Sequence, residues 1–169
     1  MGKPSPMAEL IPLHKVPEDQ IEALLDAAFG EDRHSRTAYL LRIGSKAIAP
    51  LSFGLLNGDA LIGSIQCWPV RVGGSTLALV GPVAVAPDRQ GQRHGHRLMH
   101  ATLDAAPTIG DPAMVMIGDP EYYGRFGFAP DASADWTLPG PWEPRRLLVR
   151  NVGNHSLPQT GQVERADAL

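Results

Sequence analysis

The 169-residue chain has one cysteine, Cys67, so it can close no disulfide on itself. A reducing compartment, the cytoplasm, is the simplest setting for such a chain. No run approaches the ~18 consecutive apolar residues of a membrane span. The opening MGKPSPMAELIPLHK lacks the apolar core of a signal peptide. Gly2 invites comparison with a myristoylation signal, but Pro6 stands where that signal needs Ser or Thr. There is no excess of basic charge either. The formal net charge of -3 argues against nucleic acid or an anionic membrane as partner. Any anion site must therefore be local. Internal repeats are absent. What remains is a globular composition, 43% hydrophobic and 20% charged, on a length that suits one domain.

Periodicity gives the organisation. Residues 9–13 read as a short first strand. In VPEDQIEALLDAAF, Pro17, Glu18 and Asp19 suit a helix start, Ile21, Leu24, Leu25 and Ala28 share one face, and Gly30 ends the helix. A polar link, EDRHS, precedes a second helix near residues 37–43. Residues 51–87 read as three strands, with hairpin turns at Asn57-Gly58 and Gly73-Gly74. The third strand is apolar almost throughout, as a doubly buried strand is, and Gly81-Pro82 predicts a bulge or local splaying in it. A helix over residues 95–106, the strand AMVMIG, a short helix opened by Asp119-Pro120, and strands near 136–138 and 146–152 follow. We expect one domain over residues 1–153. The polar tail, residues 154–169, shows no periodicity and is expected to be loosely attached. The order is mixed α/β (α+β), without the regular alternation of a doubly wound sheet.

The chemistry concentrates in PDRQGQRHGHRLMH, residues 87–100, which holds two Gly, three Arg and three His between a buried strand and a helix. Free N–H groups and a partial charge of about +0.5 make a helix N-terminus a receptor for phosphate. Arg89, Arg93 and Arg97 can add charge-assisted bonds. Neither the Walker pattern nor G-x-G-x-x-G is present. His96 and His100 have a metal-like i, i+4 spacing but no evident third ligand, so no metal site is read.

The stretch VAVAPDRQGQRHGHRLM resembles the acetyl-CoA-binding motif of the GNAT superfamily of N-acetyltransferases. Val83, Ala84, Val85, Gln90, Gly91, Gln92 and Gly95 match it, and Arg93 stands where its first glycine usually lies. GDPEYYGRFGF resembles the superfamily's late Y-x-x-x-G-F motif through Tyr123, Gly127 and Phe128. Together with CWPVRVGG and RRLLV, these segments look like the YhbS-type group of GNAT acetyltransferases, over roughly residues 9–152.

The resemblance implies a GNAT fold, a mixed central sheet flanked by helices, in which two parallel strands, here residues 79–86 and 113–118, splay apart. Pantetheine would enter between them and bond the backbone near Val83 and Val85. Gln90, Gly91, Gln92, Arg93, His94, Gly95 and His96 would hold the pyrophosphate of acetyl-CoA, the co-substrate. An amine of unidentified acceptor, small molecule or peptide, would attack the thioester directly. Tyr123 would protonate the leaving thiolate, with Tyr122 as the neighbour that could take its place. Candidate bases are Glu31, Asp32, His34 and Asp119, although each reads more readily as a surface or capping residue than as a catalytic one. Ser64, Gln66 and Trp68 share a strand face that could line the acceptor pocket, and Cys67 on the opposite face reads as packing. A homodimer fits the superfamily. The other reading is a non-catalytic acyl-CoA-binding sensor or assembly module on the same fold.

Overall fold

The computed structural model describes residues 8–169; Gly2 and Pro6 lie outside them. The chain begins with β1 (Glu9–Pro12) and α1 (Glu18–Phe29). Pro17 occupies the N-cap of α1, one position earlier than a first-turn proline. Ile21, Leu24 and Leu25 bury one face of α1 against Leu13, Val16 and Ala84. Each such side chain contributes about 1.5–3 kcal/mol when fully buried. After a 3-10 turn, α2 (Thr37–Leu40) is a single helical turn, shorter than the periodicity suggested. Turns follow it as far as Gly44, whose φ of +75 ends any helical continuation.

A meander comes next: β2 (Phe53–Asn57), β3 (Ala60–Val72) and β4 (Ser75–Val85). The first hairpin turns on Gly58 and Asp59, not on Asn57 and Gly58, because Asn57 pairs with Ala60. The second turns on Gly73 and Gly74, as expected. In each only the first central residue has positive φ, at +62 and +58, the pattern of a type II′ turn rather than I′. The remaining elements are α3 (His94–Ala105), β5 (Met114–Ile117), α4 (Pro120–Tyr123), β6 (Asp135–Thr137), β7 (Leu147–Arg150) and β8 (Thr160–Arg165).

The strands join in the order β1-β2-β3-β4-β5-β7, and β8 links β3 to β6. One face of the sheet packs on α3 through Ile65, Cys67, Val80, Leu98, Met99 and Met116. The other buries Trp68, Val70, Leu79, Val115, Trp136 and Leu147. The tail therefore departs from expectation. Residues 160–165 pair with both β3 and β6, Val163 is fully buried, and Pro158 O accepts the Trp136 indole N–H at 2.8 Å. Backbone pairing and two apolar side chains, Val163 and Leu157, hold it, so it leaves little periodicity to read.

The sheet opens at its centre. Parallel strands β4 and β5 pair only at Ala78↔Met114 and Leu79↔Val115, and diverge from there. Beside the divergence Ile65 pairs with Val83 but Cys67 pairs with Val80, so Gly81 and Pro82 together face the single residue Gln66. This is the bulge that Gly81-Pro82 predicted, and it resets the alternation of β4. Ala78 N–H donates to Ala113 O on the β5 side at 2.9 Å, whereas Ala86 N–H donates to Ile62 O on the β3 side at 2.8 Å. Beyond the bulge, Val83 and Val85 thus aim their backbone groups into the gap between β4 and β5, and Ala84 aims its own at β3.

Candidate active site

Two cavities meet at this gap. The larger, about 510 Å³, lies between the start of α3, β4 and α4. The smaller, about 200 Å³, lies between the α1–α2 segment and the splayed ends of β4 and β5. Phe29, Val83 and Tyr123 border both.

Local backbone geometry builds the larger cavity. Gly91 has φ +84, and Arg93, the N-cap of α3, is left-handed at φ 62 and ψ 22. A glycine suits that conformation best, which accounts for the glycine usual at this motif position. No side chain caps α3, and its first intrahelical bond runs from Arg97 N–H to Arg93 O at 3.1 Å. The N–H groups of His94, Gly95 and His96 are left without intrahelical partners, the arrangement that receives an anion. Arg89, Gln90, Gly91, Arg93, His94, Gly95 and His96 all line this cavity, with Val83 and Val85 along one wall. Ala84 and Gln92 do not. Ala84 is buried against α1, and the Gln92 amide oxygen meets His94 Nε2 at 2.9 Å. Arg97, expected to face phosphate, instead donates to the carbonyl of Ala8. Burial, with the charges of Arg97 and Arg89, holds His94 below its ordinary pKa, and desolvation with Arg93 and Arg125 does the same for His96. The i, i+4 pair His96 and His100 packs edge-on against Phe126, each 5.5 Å between ring centroids. The described residues include no cluster of three metal-ligating side chains.

Asp119 accepts from Glu121 N–H at 3.2 Å and so caps α4. Hydrogen bonding to Glu121 also keeps its carboxyl below the usual range, so it is ionised and already engaged. Tyr123 follows on the same turn. Its side chain is half-buried and makes no hydrogen bond with the described residues. Burial, and then the neighbouring Tyr122, push its phenol above the ordinary value, so it keeps its proton at neutral pH. Tyr122 borders only the larger cavity, with the Arg125 guanidinium 4.5 Å from its ring centre. Cys67 is fully buried and its thiol is pushed up to about 12 by burial, a packing residue as expected.

The smaller cavity differs from expectation. Ser64, Gln66 and Trp68 are buried and line neither cavity. Glu31, Asp32 and His34 are exposed and also line neither. The buried member of their loop is Arg33, 5% exposed, which pairs with Glu22 and Asp26 of α1. Arg33, Arg36 and Arg42 all line this cavity with Tyr39 and Phe29. Sequence reasoning missed these cations. The available signal was the recurrence of arginine at 33, 36 and 42 beside Tyr39, across a segment read as a polar link and a second helix.

Comparison with known proteins bears on the same elements. The model of the acetyltransferase (GNAT) domain family matches residues 9–130. The chain belongs to the GNAT acetyltransferase family. It is thereby an acyltransferase, and acetyl-CoA is the family's co-substrate. The Escherichia coli (strain K12) N-acetyltransferase YhbS is 33% identical over 150 residues, 85% of this chain and 87% of that one. The crystal structure of Escherichia coli YhbS in complex with CoA superposes with TM-score 0.75 at 27% identity, over 98% of this chain and 93% of that one. A GNAT acetyltransferase from Brucella melitensis in complex with acetyl-CoA gives TM-score 0.59 at 25% identity, over 88% of this chain and 98% of that one. The open, mixed sheet of this chain is the GNAT fold. None of its described helices is long and apolar enough to cross a membrane.

Proposed function

We propose that this GNAT protein transfers the acetyl group of acetyl-CoA to an amine acceptor by direct attack on the thioester. The observation that carries the reading is the meeting of the two cavities at Phe29, Val83 and Tyr123. The larger cavity offers what coenzyme A requires. The free N–H groups of His94, Gly95 and His96, with Arg93 and Arg89, suit a pyrophosphate. The unpaired backbone edge at Val83 and Val85 suits the amides of pantetheine. Gln90 and Gly91 line the same wall, whereas Ala84 packs against α1 and the Gln92 amide oxygen meets His94. Bound there, the thioester supplies an acetyl group that a neutral amine takes up as the C–S bond breaks.

Tyr123 holds a proton at the junction and delivers it from its hydroxyl to the departing sulfur. No carboxylate or histidine lines the acceptor side among the described residues, so the amine gives its proton to water. Nearby guanidinium charges disfavour the ammonium form and so favour the nucleophilic one. Positioning of the two reactants supplies much of the remaining rate. Calorimetry with acetyl-CoA, followed by thiol release in the presence of amines, tests this reading. Binding with amine-dependent thiol release is the expected result. Binding with no release from any amine would instead identify a non-catalytic acyl-CoA-binding module, and absence of binding would overturn both.

A further inference from the structure

The smaller cavity carries information about the acceptor. Its charged lining consists of three guanidiniums, and no Asp, Glu or His contributes to it among the described residues. Arg33 is neutralised by Glu22 and Asp26, with its Nε 3.0 Å from Asp26 Oδ1. Arg36 donates one Nη2–H to Phe29 O at 3.1 Å and makes no ion pair with the described residues. Arg42 is half-buried, its guanidinium carbon over two rings, 4.6 Å from the Tyr39 centroid and 4.9 Å from that of Trp68. Its side chain makes no hydrogen bond and no ion pair with the described residues. Burial pushes its guanidinium below its ordinary range, as expected of a cation held without a counter-charge.

A guanidinium without a hydrogen-bond or ion-pair partner keeps its N–H fork free, and that fork matches a carboxylate bidentately. The other walls, Phe29, Leu79, Pro82, Met116 and Ile117, are apolar. At about 200 Å³ the cavity lies below the ~300 Å³ lower bound for drug-sized ligands. Polyamines and aminoglycosides meet like charge here, and aminoglycosides also have too much bulk.

We infer that the acceptor is a small amine that also bears a carboxylate and an apolar side chain, an amino acid of that type, with Arg42 as the carboxylate anchor. The inference rests on the acetyl-transfer reading. Acceptor specificity then comes from the arginines: the carboxylate pairs with Arg42, Arg36 adds field, and the apolar walls take the side chain. The acceptor's amine is left to face the junction at Tyr123.

The experiment uses pairs of acceptors that differ only by the carboxylate: phenylalanine against phenethylamine, and leucine against 3-methylbutylamine. Acetyl transfer is followed with the intact protein and with R42M and R42K. The expected result is transfer to the amino acids with KM lower than for the matched amines by at least about 10-fold, the value of a charge-assisted bond. R42M should abolish that preference by raising KM for the amino acid far more than for its matched amine, and R42K should restore only part of it. Acetyl-CoA calorimetry on each variant verifies that the fold and the coenzyme site are intact. Equal use of the matched amines, preference for O-phosphoethanolamine, or equal KM increases for both members of a pair in R42M would overturn the inference and leave acetyl transfer standing. If no acceptor turns over, the CoA-loaded protein is titrated with N-acetylphenylalanine and N-acetylphenethylamine. Tighter binding of the carboxylate by about 10-fold, lost in R42M, supports the anchor, and no difference overturns it.

Discussion

The ring of Tyr123 lies directly on Gly118: a Cβ built on that glycine would stand 2.7 Å from Cε2 and 2.8 Å from Cδ2. The ring cannot swing away freely, because Tyr122 packs against it at 4.8 Å between centroids. The end of β5 therefore sets where the phenol sits. We expect Gly118→Ala to move Tyr123 and lower kcat while acetyl-CoA binding persists. Steady-state kinetics paired with calorimetry check this, and an unchanged kcat would mean that the ring position is immaterial.

Tyr123→Phe removes the hydroxyl and keeps the packing. With a general acid worth 10²–10⁴-fold, kcat should fall on the order of 10²-fold with little change in coenzyme affinity. A proportional loss of acetyl-CoA binding would point instead to a hydroxyl that holds the coenzyme, and an unchanged kcat would remove the acid role.

Arg93 combines a glycine-like backbone with a cationic side chain. The left-handed conformation costs roughly 1–2 kcal/mol for a residue with a Cβ. Arg93→Gly relieves that cost, partly offset by the greater chain entropy of glycine, and it removes one phosphate ligand. The variant should be slightly more stable to denaturant and bind CoA about 10-fold more weakly, the loss of one charge-assisted bond. Tighter CoA binding by the variant would show that the guanidinium obstructs the site.

Much of the lining of the larger cavity was legible because its chemistry is local in sequence. The strand, the glycines and the helix start sit within one continuous stretch, and the Gly81-Pro82 bulge could be named from proline's missing donor. The roles of neighbouring residues were harder. Gln92 and His94 are adjacent in pattern, yet only His94 faces the cavity, and Arg97 turns away to hold Ala8. The smaller cavity was not legible. Arg36 and Arg42 come opposite Met116 and Tyr123 only through the packing of the α1–α2 segment across the open sheet. Likewise β8 depends on pairing with β3 and β6, which carries no sequence periodicity.

His94 and His96 give a pH dependence with a defined sign. Both are held below their ordinary pKa in the folded protein, so the unfolded chain binds more protons as pH falls. Stability should therefore decline as pH drops from about 6.5, the ordinary histidine value, towards the depressed values. Thermal midpoints between about pH 7.5 and about pH 5.5 should fall more steeply for the intact protein than for H94Q/H96Q. Equal slopes would show that these histidines do not contribute.

The C-terminal strand makes the last prediction. Val163 is fully buried between Val72, its register partner on β3, and the Trp136 side of the sheet. An aspartate there would place a carboxylate among apolar side chains. Val163→Asp should cost more than about 2 kcal/mol in urea unfolding. A loosely attached tail would tolerate the change, so an unaltered midpoint would refute its place in the sheet. Removal of residues 160–169 should act in the same direction, because it also strips β3 and β6 of their shared partner.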